Sequence, residues 1–134
     1  MQQIFTLKEN ETGITNANTC FDNIKKVNID FKQENLIALY LDSKNDVIKS
    51  EVLFKGGLNM CVVDAKTLFR QALKYNANAL IIAHNHPSND LNPSQEDKTV
   101  FEHFKKCGEI LQLKVLDSII FNKTEYYSLN SEVE

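Results

Sequence analysis

The sequence predicts an α/β fold in which a mixed β-sheet is flanked by helices. Short apolar runs typical of strands alternate with segments whose apolar residues recur at helical spacing, in the order α-β-β-α-β-α-β-β. The run 79–83 is apolar throughout, which is typical of a strand buried on both faces of a sheet. The chain has 134 residues, 43% of them hydrophobic and 25% charged, which suits one compact domain with an ordinary core.

Each predicted element has a local signal. Asp64 is a good N-cap for a helix with apolar residues at three- and four-residue spacing, and Asn76 begins the polar stretch that ends it. Ser94 begins another helix, and Gly108 is expected at its C′ position. In chain order the predicted segments are a helix at 21–27, strands at 36–41 and 47–54, a helix from 65, a strand at 79–83, a helix at 94–107, and strands at 114–121 and 125–128.

The ends of the chain are expected to be less regular. Residues 1–19 are predicted to form an irregular N-terminal segment, residues 20–130 the folded domain, and residues 131–134 a frayed acidic tail.

Composition excludes several classes of function. A net charge of −3 and a pI near 5.6 lack the basic footprint that binding to a phosphate backbone requires, so we expect no direct binding of nucleic acid. The apolar runs are far shorter than the roughly 20 residues that span a bilayer, and no export signal is recognisable, so we expect no membrane association and a cytoplasmic location. Cys20, Cys61 and Cys107 are too widely spaced to indicate disulfides or a thiolate zinc site.

The stretch AHNHPSNDLNPSQED, at 83–97, contains the residues best suited to chemistry. If the chain stays extended beyond Ala83, the side chains of His84 and His86 project to the same side and can share one ion. A hydrolytic zinc site typically has three protein ligands and a water. Asp97, in the first turn of the next helix, is the candidate third ligand.

The same residues also fit a purely structural interpretation. Ser94 and Asp97 have the spacing of a capping box, in which the Ser94 hydroxyl accepts a hydrogen bond from the backbone of residue 97 and an acidic side chain reaches back. From spacing alone, a metal site and a polar loop followed by a capped helix remain alternatives of equal weight.

A wider pattern resembles a known family. His84-Asn-His86-Pro-Ser88 followed by Pro93-Ser94-x-x-Asp97 is similar to the JAB/MPN (JAMM) metalloprotease motif as it occurs in RadC-like proteins. The resemblance covers roughly residues 20–130, and the further positions that contribute to it are Leu41-Asp42, Asn45, Glu51, Gly56, Ala77 through His86, Gly108, Leu116-Asp117 and Tyr127-Ser128.

The resemblance implies a mixed sheet related to the cytidine-deaminase fold and a zinc ion on His84, His86 and Asp97. It also implies that Glu51 acts as general base, that Ser94 stabilises the oxyanion, and that the substrate is a peptide or protein cleaved at a peptide or isopeptide bond. Spacing alone favours a solvated strand carboxylate for Glu51, because strict alternation along 47–54 turns it away from the more apolar side.

Four positions depart from the family pattern. Asn89 stands where Gly is usual, and Gly57 stands where a small polar residue is usual. Lys66 is the middle residue of Ala-Lys-Thr where the family has Pro-Arg-Glu, and Ser118 follows Asp117 where the family has His after Asp. Asn tolerates the left-handed conformation that Gly supplies, so the loop at Asn89 is expected to survive. The helix-hairpin-helix region that precedes this domain in longer RadC proteins has no counterpart in the sequence, which weakens any expectation of DNA binding.

Other functions compete with a zinc hydrolase. MPN-type domains without the metal residues serve as non-catalytic interaction modules, and a DNA-repair accessory role follows only from the family name. A zinc deaminase would need H-x-E followed by P-C-x-x-C, which is missing here. A homo-oligomer and the identity of the substrate are left open by the sequence.

Overall fold

The computed structural model describes residues 17–56 and 64–132. Within these ranges the helices and strands follow the predicted order. They are α1 Ala17–Ile24, β1 Asn35–Leu41, β2 Val47–Lys55, α2 Ala65–Lys74, β3 Ala79–Asn85, α3 Gln95–Leu111, β4 Lys114–Phe121, β5 Tyr126–Ser128 and a 3-10 helix at Leu129–Glu132. No helix in the described ranges is long and apolar enough to cross a membrane.

The strands form one five-stranded mixed sheet in the order β2-β1-β3-β4-β5. The neighbours β3 and β4 are parallel, and the other neighbouring pairs are antiparallel. Every residue of the central strand β3 is buried, as its unbroken apolar run predicts. The α/β class with a mixed, helix-flanked sheet is therefore confirmed.

Helices cover both faces of the sheet. On one face α2 and α3 pack over β1, β3 and β4 and form the α2/α3 core, which includes Leu68, Phe69, Phe101 and Phe104. On the other face α1 forms a second cluster, the α1 core, around Cys20, Phe21 and Ile24. Because β3 lies between two cores, successive β3 side chains enter different cores.

The ends of the predicted segments need correction. Helix α1 begins at Ala17, so residues 17–19 are helical where an irregular segment is predicted. At the other end Ser131 and Glu132 belong to the 3-10 helix, within the range predicted as a frayed tail. Residues 1–16 and 133–134 of the predicted irregular segment and tail lie outside the described residues.

Two irregularities in the pairing of β1 with β2 change the predicted faces of β2. The register shifts between Leu36 and Ile37 and again between Tyr40 and Leu41. Glu51 pairs with Ala38 of the α2/α3 core, so it lies on that apolar face and not away from it. The prediction from strict alternation was wrong because each shift puts an extra residue into β2.

Gly108 lies inside α3 and is not the residue that follows it. The helix continues to Leu111 and ends at Gln112, which has the left-handed φ of 59°. The chain then turns back, and the Leu113 amide donates to the Gly108 carbonyl at 2.8 Å. A Cβ on Gly108 would lie 2.2 Å from the Leu113 carbonyl oxygen, so this position is explained by close backbone approach.

We expect Gly108→Ala to lower the free energy of unfolding by about 1–3 kcal/mol, because overpacking outweighs the better helix propensity of Ala. Urea denaturation measures the change. Lys106→Ala, at an exposed position of the same helix, is the control and should leave stability nearly unchanged. Equal stability of Gly108→Ala and wild type would contradict the close approach.

Asp117 is a fully buried carboxylate of β4 that contacts residues 128–130. Its oxygens accept hydrogen bonds from the Ser128 hydroxyl at 2.5 Å, the Asn130 amide at 2.9 Å and the Ser118 amide at 2.7 Å. Burial outweighs these bonds and raises the pKa of Asp117 to about 6. The folded protein therefore holds the Asp117 proton more tightly than the unfolded chain does.

A raised folded-state pKa stabilises the fold at low pH, and this contribution is lost as pH rises through about 6. We expect the stability of wild type relative to Asp117→Asn to fall by about 2 kcal/mol between pH 4 and pH 7, since Asn does not titrate. Chemical denaturation of both proteins across this range measures it. Parallel pH profiles would show that Asp117 does not have this pKa.

Candidate metal centre

The extended chain of β3 places His84 and His86 on the same side. The strand runs two residues beyond the predicted Ala83, to Asn85. His84 pairs with Leu36 of β1 and shares the α2/α3 face of the sheet, where it is 6% exposed. His86 follows directly after the strand and is half-buried.

Asn85 anchors the end of β3 on the opposite face. Its side-chain oxygen accepts from the Asn35 backbone amide at 2.9 Å, and its amide donates to the Gln33 carbonyl at 3.0 Å. Asn85 is 1% exposed. The sequence interpretation passed over this residue, although an Asn between two residues that share one face must point to the other face.

A turn after β3 redirects the chain towards α3. The Asn89 amide donates to the His86 carbonyl at 2.8 Å, and Asn89 has a φ of 67°. The Asn122 side chain donates to the Asn89 carbonyl at 3.2 Å. Asn89 therefore adopts the left-handed conformation for which Gly is usual, as predicted.

The capping box at the start of α3 brings Asp97 into the site. Ser94 is the N-cap: its hydroxyl oxygen accepts from the Asp97 amide at 3.0 Å, and its own amide donates to Asp97 Oδ2 at 2.8 Å. The same carboxylate contacts both histidines. The two sequence interpretations of Asp97, cap and ligand, are thus compatible in one conformation.

Three potential ligand atoms converge. His84 Nε2 lies 2.9 Å from Asp97 Oδ1, His86 Nε2 lies 3.2 Å from Asp97 Oδ2, and the two Nε2 atoms are 3.2 Å apart. Tetrahedral zinc with bonds of about 2.0–2.2 Å separates its ligand atoms by roughly 3.3–3.6 Å. The observed separations are slightly shorter, and two imidazoles with one carboxylate are a donor set that zinc accepts.

Hydrogen bonding selects the tautomer of His86. Its Nδ1 lies 2.7 Å from the Asp90 carbonyl oxygen, which can only accept, so Nδ1 carries a proton. Nε2 is then the ring nitrogen available to a metal, and it faces Asp97 and His84. The backbone carbonyl of Asp90 thus orients a potential ligand, in the way that outer contacts orient metal-bound histidines.

Electrostatics favour negative charge on Asp97. Burial opposes ionisation, but the hydrogen bonds from His84 and His86 outweigh it and hold the pKa of Asp97 well below its usual range. The Asp97 carboxylate in turn raises the pKa of His86. The half-buried carboxylate is therefore ionised at neutral pH, which is the form that binds a cation.

Glu51 is not part of this group, although it lies on the same face of the sheet. Ala38 pairs with Glu51 on one side and with Ile82 on the other, which is two residues before His84. Glu51 Oε2 accepts from the Tyr40 hydroxyl at 2.9 Å and from Gln71 Nε2 at 3.0 Å. No group in the described part of the chain donates to Oε1.

Of the other residues considered in the sequence, one lies beside the site, and the rest lie away from it or outside the described ranges. Lys66 is exposed in the first turn of α2, and His103 is exposed on α3. Ser118 is buried beside the site. Gly57 and Cys61 lie outside the described residues.

Sequence comparison shows the family to which the chain belongs. Residues 14–133 match the family model for the RadC-like JAB domain. The chain belongs to this family.

Several bacterial relatives are named UPF0758 protein. The protein from Staphylococcus haemolyticus is 45% identical over 103 residues, covering 77% of this chain and 45% of the relative. The protein from Flavobacterium johnsoniae is 39% identical over 119 residues, covering 89% of this chain and 52% of the relative. This RadC-like chain thus spans about half the length of the curated relatives it matches.

We expect the protein, purified without a histidine tag, to bind about one zinc ion per chain. His86→Ala and Asp97→Asn should lose it, while Glu51→Gln should retain it because Glu51 lies outside the ligand group. Elemental analysis measures the content, and circular dichroism shows whether the variants are folded. Full zinc content in folded His86→Ala and Asp97→Asn would contradict the site.

Proposed function

We propose that this RadC-like domain is a zinc-dependent hydrolase that cleaves an amide bond in a peptide or protein. The observation that carries the proposal is the convergence of His84 Nε2, His86 Nε2 and the Asp97 carboxylate at 2.9–3.2 Å. Three protein ligands leave a fourth position for water, which is the arrangement of catalytic zinc sites and not of closed structural ones. When bound, zinc would act as a Lewis acid and lower the pKa of water from 15.7 towards about 7.

Glu51 is the proposed general base. Both of its described hydrogen bonds, from Tyr40 and Gln71, go to Oε2. These donors orient the carboxylate and leave Oε1 to accept a proton from water. Glu51 would then pass this proton to the leaving amine, so that one carboxylate serves as base and then as acid.

Ser94 is the proposed oxyanion donor. Its oxygen already accepts from the Asp97 amide, but the hydroxyl hydrogen is not used in that bond. Ser94 is exposed and adjacent to the Asp97 carboxylate. It can therefore cap α3 and donate to the developing negative charge on a scissile carbonyl at the same time.

The proposal is tested by screening zinc-loaded protein against peptide and isopeptide libraries and then comparing variants on a cleaved substrate. We expect Glu51→Gln to lower kcat by about 10²–10⁴-fold with zinc retained. Ser94→Ala should lower kcat by about 10²–10³-fold, the usual effect of removing one oxyanion donor.

Glu102→Gln is the matched control, because Glu102 is an exposed acid on α3 whose carboxylate pairs with Lys105, away from the histidines of the site. It should hydrolyse the substrate at the wild-type rate. Unchanged hydrolysis by Glu51→Gln would remove Glu51 from the mechanism. A zinc-loaded protein that cleaves none of the library would favour the non-catalytic interaction module.

A further inference from the structure

Ser118 presents a buried hydroxyl beside the candidate metal centre. It lies in β4, pairs with Ile82 of β3 and is 1% exposed. No protein group within residues 17–56 and 64–132 forms a hydrogen bond with its Oγ. Buried hydroxyls in folded proteins almost always have a partner, which is either a protein group or an ordered water.

A small cavity adjoins this hydroxyl. Its volume is about 20 Å³, and His84, Glu96, Asp97 and Ser118 line it together with apolar side chains. One water molecule needs roughly 10–15 Å³ and two to four polar partners. The cavity therefore has the size and the polar lining for a single water.

The two histidines of the site differ in their outer contacts. His86 Nδ1 meets the Asp90 carbonyl at 2.7 Å, whereas the described hydrogen bonds of His84 all involve Nε2, on the side of His86 and Asp97. Metal-bound histidines usually donate their second N–H to a carboxylate, a carbonyl or a water. In the described part of the chain, no protein acceptor fills this role for His84.

We propose that Ser118 is a positioning residue that holds one ordered water in this cavity against His84. The water accepts hydrogen bonds from the Ser118 hydroxyl and from the His84 Nδ1–H, and it donates towards the acidic side chains that share the cavity. With Nδ1 hydrogen-bonded to the water, Nε2 is the ring nitrogen available to a metal. The effect of Ser118 on metal binding rests on the proposed function, whereas the water itself does not.

Crystal structures of the metal-free wild type and of Ser118→Ala test the water directly. We expect wild-type density for a water within about 3.2 Å of both Ser118 Oγ and His84 Nδ1, and no ordered water there in Ser118→Ala. The absence of this water in the wild type would overturn the proposal.

Zinc affinity, measured by competition with a chromophoric chelator, tests the positioning role. Ser118→Ala should bind zinc about 10–100-fold more weakly, the usual effect of losing an outer contact to a ligand. Ser128→Ala is the matched control: it removes a hydroxyl that bonds to Asp117, so it should lower stability and leave zinc affinity unchanged.

The outcomes separate this inference from the proposed function. Wild-type affinity in Ser118→Ala, or an equal loss in Ser128→Ala, would remove the positioning role. If the wild type bound no zinc at all, the proposed function would fail, and the density beside Ser118 would still decide whether the water is held.

Discussion

The hydrogen bonds of the Asp97 carboxylate hold the candidate site together. Its oxygens accept from the Ser94 amide at the start of α3 and from His84 and His86 at the end of β3. A residue in the first turn of a helix thus fixes the position of that helix relative to the central strand. Because the carboxylate is ionised, the same contacts that stabilise the helix start also create a binding position for a cation.

The two cores on either side of β3 impose a second constraint. Alternation along a strand sends His84 to the α2/α3 face and Asn85 to the opposite face. The Asn85 side chain accepts from the Asn35 amide at the start of β1 and donates to the Gln33 carbonyl just before β1, which ties the end of β3 to this segment. Asn85 therefore contributes to the position of the two histidines without pointing into the site.

The local signals that the sequence contains are accurate where one residue acts on its own backbone. Asp64 caps α2 by accepting from the Lys66 amide, and Asn89 takes the left-handed turn position, both as predicted. Predictions that depended on contacts between elements were less accurate. Gly is needed at 108 because the Leu113 carbonyl approaches closely, and not because the helix ends there. The bulges in β2 placed Glu51 on the apolar face of the sheet, opposite to the prediction.

The sequence by itself determined the fold class and the order of elements, because periodicity and capping act over a few neighbouring residues. His84, His86 and Asp97 were singled out as ligands by the resemblance to a family, since spacing alone left a capped loop as an equal alternative. Tertiary structure alone decided that Tyr40 and Gln71 hold Glu51, that the Asp90 carbonyl orients His86, and that the Ser118 hydroxyl faces a small cavity. These relations join segments that are distant in the chain or depend on the exact path of a loop. They arise only when the sheet and the helices pack, since packing is what places such groups within hydrogen-bonding distance.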